Sequence, residues 1–405
     1  MTRPAIALLS TYPPTQCGLA TFTAALYEQL DRESGNVAIA RVLDRPCDGL
    51  HGHEVVAHLT NGSRSSLAAT ALTLNSFDVV IVQHEYGIYG GIDGEEVLDL
   101  VAALTVPTII VLHTVLTDPT PHQRSILEQL VMGAGAVVTM AETARRRLVE
   151  HYDVEASRIT VIPHGAIDHR SLQTHHAVAA RPLILTWGLL GPGKGIEWAI
   201  DAMPALRDLM PRYLVAGKTH PKVLEHEGER YRLCLEERVM QHSVADMVDI
   251  DASYLSLSEL ANLVAAADVV LLPYDSPDQV TSGVLIEAVA AGRPVISTGF
   301  PHAVELLSGG AGLIVGQKDA RALAVALRRV LSEPGLAEQM AGVAASQAPS
   351  LVWSAVAQRY RTLAHGLVAS PLVASPLVAG PPVAGPPVAG RLRACSSPAG
   401  LVAAS

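Results

Sequence analysis

The feature that most constrains the fold is a repeated alternation of short apolar runs with longer amphipathic segments. The runs are rich in Val, Ile and Leu, which is typical of parallel strands buried on both faces and connected by helices. Two such series follow one another, so we predict two doubly wound α/β sheets. The runs cover residues 5–9, 37–42, 79–82, 108–112, 136–139, 159–162, 183–187, 213–216, 247–250, 269–272, 295–297 and 312–315.

The chain of 405 residues is long enough for two ordinary domains and an additional segment. Residues 169–181 are polar and lack a hydrophobic period. We therefore place a linker at 171–181, between an N-terminal domain at 1–170 and a C-terminal domain at 182–349. Apolar residues at helical spacing predict a last helix at 350–365.

The composition changes sharply after this helix. From Leu367 the chain consists of five tandem pentads, LVASP, LVASP, LVAGP, PVAGP and PVAGR. Proline removes backbone donors at a period that neither helix nor strand tolerates. We expect residues 366–405 to form an extended, disordered low-complexity tail, with a partner-binding or membrane-touching segment as the alternative.

Charge and cysteine content exclude several classes of protein. Lys and Arg total 29 against 39 for Asp and Glu, so a nucleic-acid backbone would meet no general positive field. The four cysteines stand apart, which indicates neither a disulfide framework nor a zinc site and fits a reducing cytoplasm. Each apolar run is interrupted before 18 residues, and the first is too short for a signal peptide. We predict a cytoplasmic protein that has no transmembrane helix and does not bind nucleic acid.

A glycine-rich loop, GLLGPGKG at 188–195, follows one apolar run and precedes an amphipathic helix. Backbone N–H groups and the helix dipole at such a loop favour an anion. A Walker A loop needs Ser or Thr after Lys194, but Gly195 stands there, so a P-loop is excluded. The loop after the first run has one glycine, Gly18, where a dinucleotide fingerprint requires three.

A second polar segment follows the run at 269–272. Thr281 or Ser282 can cap the next helix, whose first amides would lie at the carboxyl edge of the sheet. Glu287 lies inside this apolar helix, where its carboxylate could accept both hydroxyls of a vicinal diol. The alternative is a solvated surface charge.

Taken in order, these motifs resemble the retaining glycosyltransferases of family 4. The resemblance covers roughly residues 5 to 365 and rests on the CGLATFT loop at 17–23, Leu112-His113-Thr114, the IPHG step at 162–165, GPGKG at 191–195 and SGVLIEAVAAGRPVI at 282–296. It implies a GT-B fold, in which two Rossmann-like domains face each other across a cleft and the last helix crosses back to the first domain. It also implies transfer of a hexose from a nucleotide diphosphate sugar to an acceptor hydroxyl, without metal or another cofactor.

The same resemblance implies roles for individual residues. Lys194 would contact the donor diphosphate, Glu287 the ribose, and His113 the transferred sugar. Further substrate contacts are expected from Gly18, Gly193, Gln279, Thr281, Ser282 and Gly283, with the amides of Ser282 and Gly283 completing the phosphate cradle. His84 and Glu85 are assigned by their position and not by the resemblance: they follow the run at 79–82 at the edge facing the cleft and could belong to the acceptor pocket, with a packed loop as the alternative.

Two residues depart from the family pattern. Gln279 replaces the first glutamate of the family's Glu-seven-residues-Glu signature, and Leu189 replaces a common arginine. These departures leave open a catalytically silent GT-B binding or scaffold protein, and an epimerase or phosphorylase of the same fold is a further alternative. An Asp-x-Asp pair, Asp249 and Asp251, is expected to be structural or to lie near the nucleobase, not to bind metal.

The resemblance favours GDP-mannose as donor, with UDP-glucose as the alternative. The sequence carries no readable code for the acceptor, which could be a glycan, a lipid or a small molecule. A lipid acceptor would bring the protein to a membrane surface, so peripheral membrane contact stays open.

Overall fold

The computed structural model describes residues 3–47, 49, 52–152, 154–171, 181–253 and 255–369. These residues form two parallel α/β sheets, each covered by helices, which confirms the predicted fold class. Most of the predicted linker and the pentad tail beyond residue 369 lie outside the described residues. Within those ranges, no helix has both the length and the hydropathy needed to cross a membrane.

The first sheet has seven strands in the order β3-β2-β1-β4-β5-β6-β7. Its strands are β1 Ile6–Ser10, β2 Val37–Leu43, β3 Val55–Thr60, β4 Val79–His84, β5 Thr108–Leu112, β6 Ala136–Thr139 and β7 Ile159–Val161. Strand β3 was not among the predicted strands. This edge strand alternates buried with half-buried residues and therefore lacks the continuous apolar run of a central strand.

The second sheet has six strands in the order β10-β9-β8-β11-β12-β13. They are β8 Leu183–Trp187, β9 Arg212–Ala216, β10 Val248–Asp251, β11 Val269–Leu272, β12 Val295–Thr298 and β13 Gly312–Val315. Each contains most of a predicted apolar run. The order reverses direction between β8 and β11, which is the position where doubly wound sheets open a ligand crevice.

Fourteen α-helices occur in the described part of the chain. Those of the first half are α1 Gly18–Ser34, α2 Arg64–Leu74, α3 Glu96–Ala103, α4 Pro121–Gly133 and α5 Glu142–His151. The others are α6 Ile196–Ala202, α7 Pro221–Glu227, α8 Arg230–Gln241, α9 Leu257–Ala266, α10 Gly283–Ala290, α11 Pro301–Leu307, α12 Ala320–Ser332, α13 Leu336–Leu351 and α14 Trp353–Ala369.

Helix α14 returns to the first domain. Its buried residues Val356, Tyr360 and Ala364 pack in the same apolar cluster as Phe22 and Leu26 of α1. The helix begins three residues later and ends four residues later than predicted. It continues into the first pentad because Leu367 is 9% exposed and packs in this cluster, which stabilises the added turn.

The two chain segments that connect the domains are hydrogen-bonded to each other. The Ala166 N–H donates to the Leu351 carbonyl (2.8 Å), and the Trp353 N–H donates to the Ala166 carbonyl (2.9 Å). Gly165 lies against the Trp353 ring, which in turn contacts Phe22 edge-on at 5.0 Å. The junction is therefore a single packed unit.

Side chains also hold the domains together across the cleft. The Glu305 carboxylate on α11 accepts the N–H groups of Glu142 (2.8 Å) and Thr143 (2.7 Å). It thereby caps helix α5, whose own N-cap residue, Ala141, has no side-chain acceptor. Asp278 accepts the Thr117 hydroxyl at 2.7 Å.

Adding a methyl group at the domain junction should destabilise the protein. A Cβ at Gly165 would lie 2.1 Å from the Trp353 ring, so we expect Gly165→Ala to lower the free energy of unfolding by about 1–3 kcal/mol. Gly366→Ala is the matched control, because a Cβ on this exposed face of α14 meets no atom within 4 Å. Urea unfolding should show a stability equal to or above wild type for the control. Equal stability of both variants would contradict this account of the junction.

Candidate active site

The candidate site lies where the carboxyl ends of the strands in both sheets face each other. From the second sheet it receives the glycine loop at 188–195 after β8 and the segment at 273–283 after β11. From the first sheet it receives residues that follow β1, β4 and β5. Parallel sheets place these loops at one edge, as the sequence analysis expected.

Only glycine fits where the loops of the second sheet meet. Gly195 has φ +63°, and a Cβ there would lie 1.8 Å from the Pro273 carbonyl oxygen. Gly217, after β9, has φ +150°, and a Cβ there would lie 1.9 Å from the Gly188 carbonyl oxygen. The loops after β8, β9 and β11 therefore pack backbone against backbone.

This packing places Lys194 beside the segment that follows β11. Its ammonium nitrogen lies 4.6 Å from the centre of the Tyr274 ring, a cation–π contact. Lys194 forms no salt bridge with the described residues. Although the side chain is half-buried and not fully enclosed, burial lowers the pKa of Lys194 to about 8. An ammonium without a counter-ion in this position is suited to bind an anion.

Glu287 occupies the second turn of α10 and faces the domain junction. Its carboxylate accepts the Ile167 N–H at 3.1 Å and lies 3.4 Å from the His169 ring nitrogen Nε2. The Glu287 side chain is 20% exposed, so it is not the fully solvated surface charge that was the alternative prediction. Lys194 and Glu287 follow adjacent strands, and their segments are joined by a hydrogen bond from the Asp275 N–H to the Gly193 carbonyl (2.9 Å).

One prediction about the phosphate cradle is wrong. Ser282 is the N-cap of α10, but its own N–H donates to the His302 ring nitrogen Nδ1 at 2.9 Å and is not free for a ligand. His302 lies on α11, and its position beside Ser282 depends on long-range packing that no local spacing predicts. Gln279 and Thr281 are both buried, and the Gln279 amide nitrogen donates to the Thr281 carbonyl at 2.9 Å.

Gly283 and His113 lie against the rings of His164 and Phe22, neither of which was predicted as a site residue. A Cβ at Gly283 would lie 2.9 Å from the ring of His164, the histidine of the IPHG step. His164 and His113 both contact the Phe22 ring edge-on, at 5.0 and 4.9 Å between ring centres. His113 Nε2 lies 2.6 Å from the Gln83 amide oxygen, so Gln83 orients the His113 ring.

The N-terminus of α1 also lies at this edge. Gly18 begins the helix, and the Cys17 thiol caps it by accepting the Ala20 N–H at 3.4 Å. The thiol also lies 3.2 Å from the Thr11 hydroxyl. Because the Cys17 thiol accepts the Ala20 N–H, only the Gly18 and Leu19 amides among the first three of α1 could bind a ligand.

Of the two predicted acceptor-pocket residues, only Glu85 is accessible. It accepts the Thr114 hydroxyl at 2.5 Å and the Tyr86 N–H at 3.1 Å, and burial raises the pKa of its carboxyl group. His84 is fully buried at the end of β4, so the prediction that it lines the pocket is wrong. The His84 ring contacts the Tyr86 ring edge-on, at 5.0 Å between ring centres.

The two aspartates of the Asp-x-Asp pair make separate contacts within the second domain. Asp249 accepts the Arg212 guanidinium at 2.7 Å, and Asp251 accepts the Ser253 N–H at 2.8 Å. Across the described ranges, no three His, Cys, Asp or Glu side chains are arranged to hold a metal ion.

Comparisons with known proteins agree with this architecture. Residues 18–170 match the family Glycosyltransferase Family 4, and residues 181–333 match Glycosyl transferases group 1. The D-inositol 3-phosphate glycosyltransferase of Corynebacterium glutamicum (strain R) is 26% identical over 371 residues, which are 84% of this chain and 85% of that protein. The corresponding enzyme of Acidothermus cellulolyticus is 28% identical over 364 residues, or 82% of this chain and 78% of that protein.

Solved structures share the fold at lower sequence identity. Anabaena Alr3699/HepE in complex with UDP and glucose superposes with a TM-score of 0.70 and 16% identity, covering 90% of this chain and 100% of that one. Sucrose-phosphate synthase from Thermosynechococcus elongatus gives a TM-score of 0.69 and 19% identity, and the match covers 90% of this chain and 99% of that one.

The buried histidines predict how stability depends on pH. Burial lowers the pKa of His84, His164 and His302 to about 4 and that of His113 to about 3. The unfolded chain therefore binds more protons between about pH 4 and 6.5, so stability should fall with acidification in that window by up to about 1.4 kcal/mol per pH unit for each histidine. Above about pH 7 their contribution is constant.

Urea unfolding at a series of pH values measures this dependence. His302→Asn keeps an acceptor for the Ser282 N–H. Between pH 5 and 6.5 this variant should lose the contribution of one histidine, up to about 1.4 kcal/mol per pH unit, from the pH dependence of the unfolding free energy. His53→Gln should not change it, because the His53 side chain is 94% exposed. An unchanged slope in the His302 variant would contradict the assignment.

Proposed function

The chain belongs to the family 4 glycosyltransferases, and we propose that it transfers a hexose from a nucleotide diphosphate sugar to an acceptor hydroxyl, with retention of the anomeric configuration. The observation that carries the proposal is the ammonium group of Lys194, which lies over the Tyr274 ring and forms no salt bridge with any residue that the structure describes. Anabaena HepE, which shares this fold, has been solved with UDP and with UDP-glucose. These complexes support a nucleotide-sugar donor.

In this proposal Lys194 stabilises the leaving group. The bond between the sugar's anomeric carbon and the phosphate oxygen breaks, and negative charge develops on the departing diphosphate. The acceptor oxygen forms the new bond on the same face, and its proton passes to the departing phosphate. A cation held in place before the reaction favours this transition state over the ground state. The family resemblance implies that this transfer needs no metal ion.

Glu287 would bind the ribose of the donor. A carboxylate offers about four acceptor positions, and the contacts with Ile167 and His169 leave room for two hydroxyl donors. Its position against the domain junction would couple donor binding to the relative orientation of the domains. The amide oxygen of Gln279 would accept a hydroxyl of the transferred sugar, in place of the usual glutamate.

The identity of the hexose stays a prediction. The resemblance favours GDP-mannose, whereas the HepE complexes favour UDP-glucose. The neutral Gln279 and the apolar Leu189 support one other candidate function, a GT-B protein that binds the donor without transferring its sugar. Release of nucleoside diphosphate distinguishes the two.

A binding experiment tests the site. Among GDP-, UDP- and ADP-sugars, the true donor should raise the melting temperature of wild-type protein, because ligand binding stabilises the folded state. Lys194→Ala should weaken donor binding about 100-fold, the cost of one charged contact, and Glu287→Ala about tenfold. Lys318→Ala, at an exposed turn outside the site, is the control and should bind like wild type. Unchanged donor affinity in both site variants would refute the assignment.

The lowered pKa of Lys194 predicts a pH dependence of donor affinity. A group with a pKa of about 8 is mainly charged at pH 7 and mainly neutral at pH 8.5, so the dissociation constant should rise about fourfold between these values. Lys194→Arg should remove the rise, since arginine stays protonated throughout. Isothermal titration calorimetry measures both proteins. A pH-independent affinity in wild type would show that Lys194 does not bind the donor as an ammonium.

A further inference from the structure

One helix of the first domain, α5, contacts the second domain at two separate places. Its second turn carries Arg147, which reaches residues 278–282. We call these five residues the sugar segment, because Gln279 within it is proposed to bind the transferred sugar. The first two amides of α5 reach the second domain at α11. Both ends of the sugar segment can therefore be traced to α5.

The start of the sugar segment is bound directly by the first domain. The Arg147 guanidinium donates to the Asp278 carbonyl at 2.9 Å and lies 3.6 Å from the Asp278 carboxylate. It also donates to the Val115 carbonyl at 3.0 Å, and the Asp278 carboxylate accepts the Thr117 hydroxyl at 2.7 Å. The Arg147 side chain is 11% exposed, so water competes little for these hydrogen bonds.

The rest of the sugar segment is bound through α11. His302 accepts the Ser282 N–H at Nδ1, and the His302 backbone N–H donates to the Gln279 carbonyl at 3.3 Å. Glu305 lies three residues further along the same helix, on the same side. Its carboxylate accepts the Thr143 hydroxyl at 2.8 Å in addition to the two amides of α5. Glu305 therefore joins the helix that holds the sugar segment to the first domain.

The Glu305 contact depends on the two domains being together. A carboxylate at a helix N-terminus binds amides that have no partner inside the helix, and it interacts favourably with the helix dipole. Helix α5 has no side-chain cap of its own, because its N-cap residue is Ala141. Separation of the domains would remove the cap of α5 and release α11 at the same time.

From these contacts we propose that Glu305 is a positioning residue: by joining α11 to α5, it holds the sugar segment in the conformation that binds the sugar of the donor. Lys194 and Glu287, the proposed partners of the diphosphate and the ribose, lie outside the sugar segment. Binding of the nucleoside diphosphate alone does not need the link. The inference rests on the proposed function, because the sugar segment belongs to the proposed donor site.

Isothermal titration calorimetry tests this with two ligand pairs, UDP-glucose with UDP and GDP-mannose with GDP. Glu305→Ala should weaken binding of the sugar nucleotide about fivefold, the effect of one lost hydrogen bond, and that of its nucleoside diphosphate less than about twofold. Glu150→Ala, which removes a carboxylate from the exposed last turn of α5, is the matched control and should change neither. Unchanged binding of the sugar nucleotide in Glu305→Ala, or an equal loss for both ligands, would overturn the inference.

A double variant separates positioning from capping. Residue 141 has the extended backbone of an N-cap, so Ala141→Ser combined with Glu305→Ala supplies a cap from α5 itself. Urea unfolding should show stability recovered relative to Glu305→Ala, whereas the affinity for the sugar nucleotide should stay low, because α5 and α11 remain unlinked. Recovery of both would show that Glu305 only stabilises α5, which would overturn the inference.

Two further results keep the test decisive. Glu305→Gln has nearly the same size and keeps one acceptor oxygen, so it should fold even where Glu305→Ala does not and should lose about twofold in affinity for the sugar nucleotide alone. Failure of wild-type protein to bind either sugar nucleotide would overturn the proposed function. Normal binding by wild type without a selective loss in the Glu305 variants would overturn only the role of Glu305.

Discussion

The close approach of three loop backbones in the second domain is the constraint on which the site depends. Gly195 lies against the Pro273 carbonyl, and Gly217 lies against the Gly188 carbonyl, at distances that exclude any side chain. This approach brings the loops after β8, β9 and β11 into one surface and puts Lys194 over Tyr274. The partial burial that lowers the pKa of Lys194 follows from the same packing.

The donor side is physically connected to the junction of the domains. Glu287 accepts a hydrogen bond from Ile167, one residue after the bridge between the two connecting segments, and Gly283 lies against His164. Glu305, three residues after the histidine that binds Ser282, caps α5 of the opposite domain. Groups that would touch the donor are thus linked by hydrogen bonds and contacts to groups that join the two domains, which provides a structural basis for excluding water during transfer.

The two sides of the cleft differ in how their charges are balanced. Lys194 forms no salt bridge with the described residues, whereas His122 lies between two carboxylates and Arg147 is bound to the Val115 and Asp278 carbonyls. This contrast is the physical basis for the proposal that the donor diphosphate binds beside Lys194.

The sequence by itself determined the two parallel sheets, because continuous apolar runs specify strands buried on both faces, and all but the edge strand β3 were predicted in this way. It also determined the glycine loop, since backbone conformation depends on local residue type. Only the tertiary structure decided that His302 binds the Ser282 amide, that His84 is buried, and that Gln83 orients His113. These contacts join residues distant in the chain, and their geometry follows from how helices and sheets pack, which local spacing does not encode.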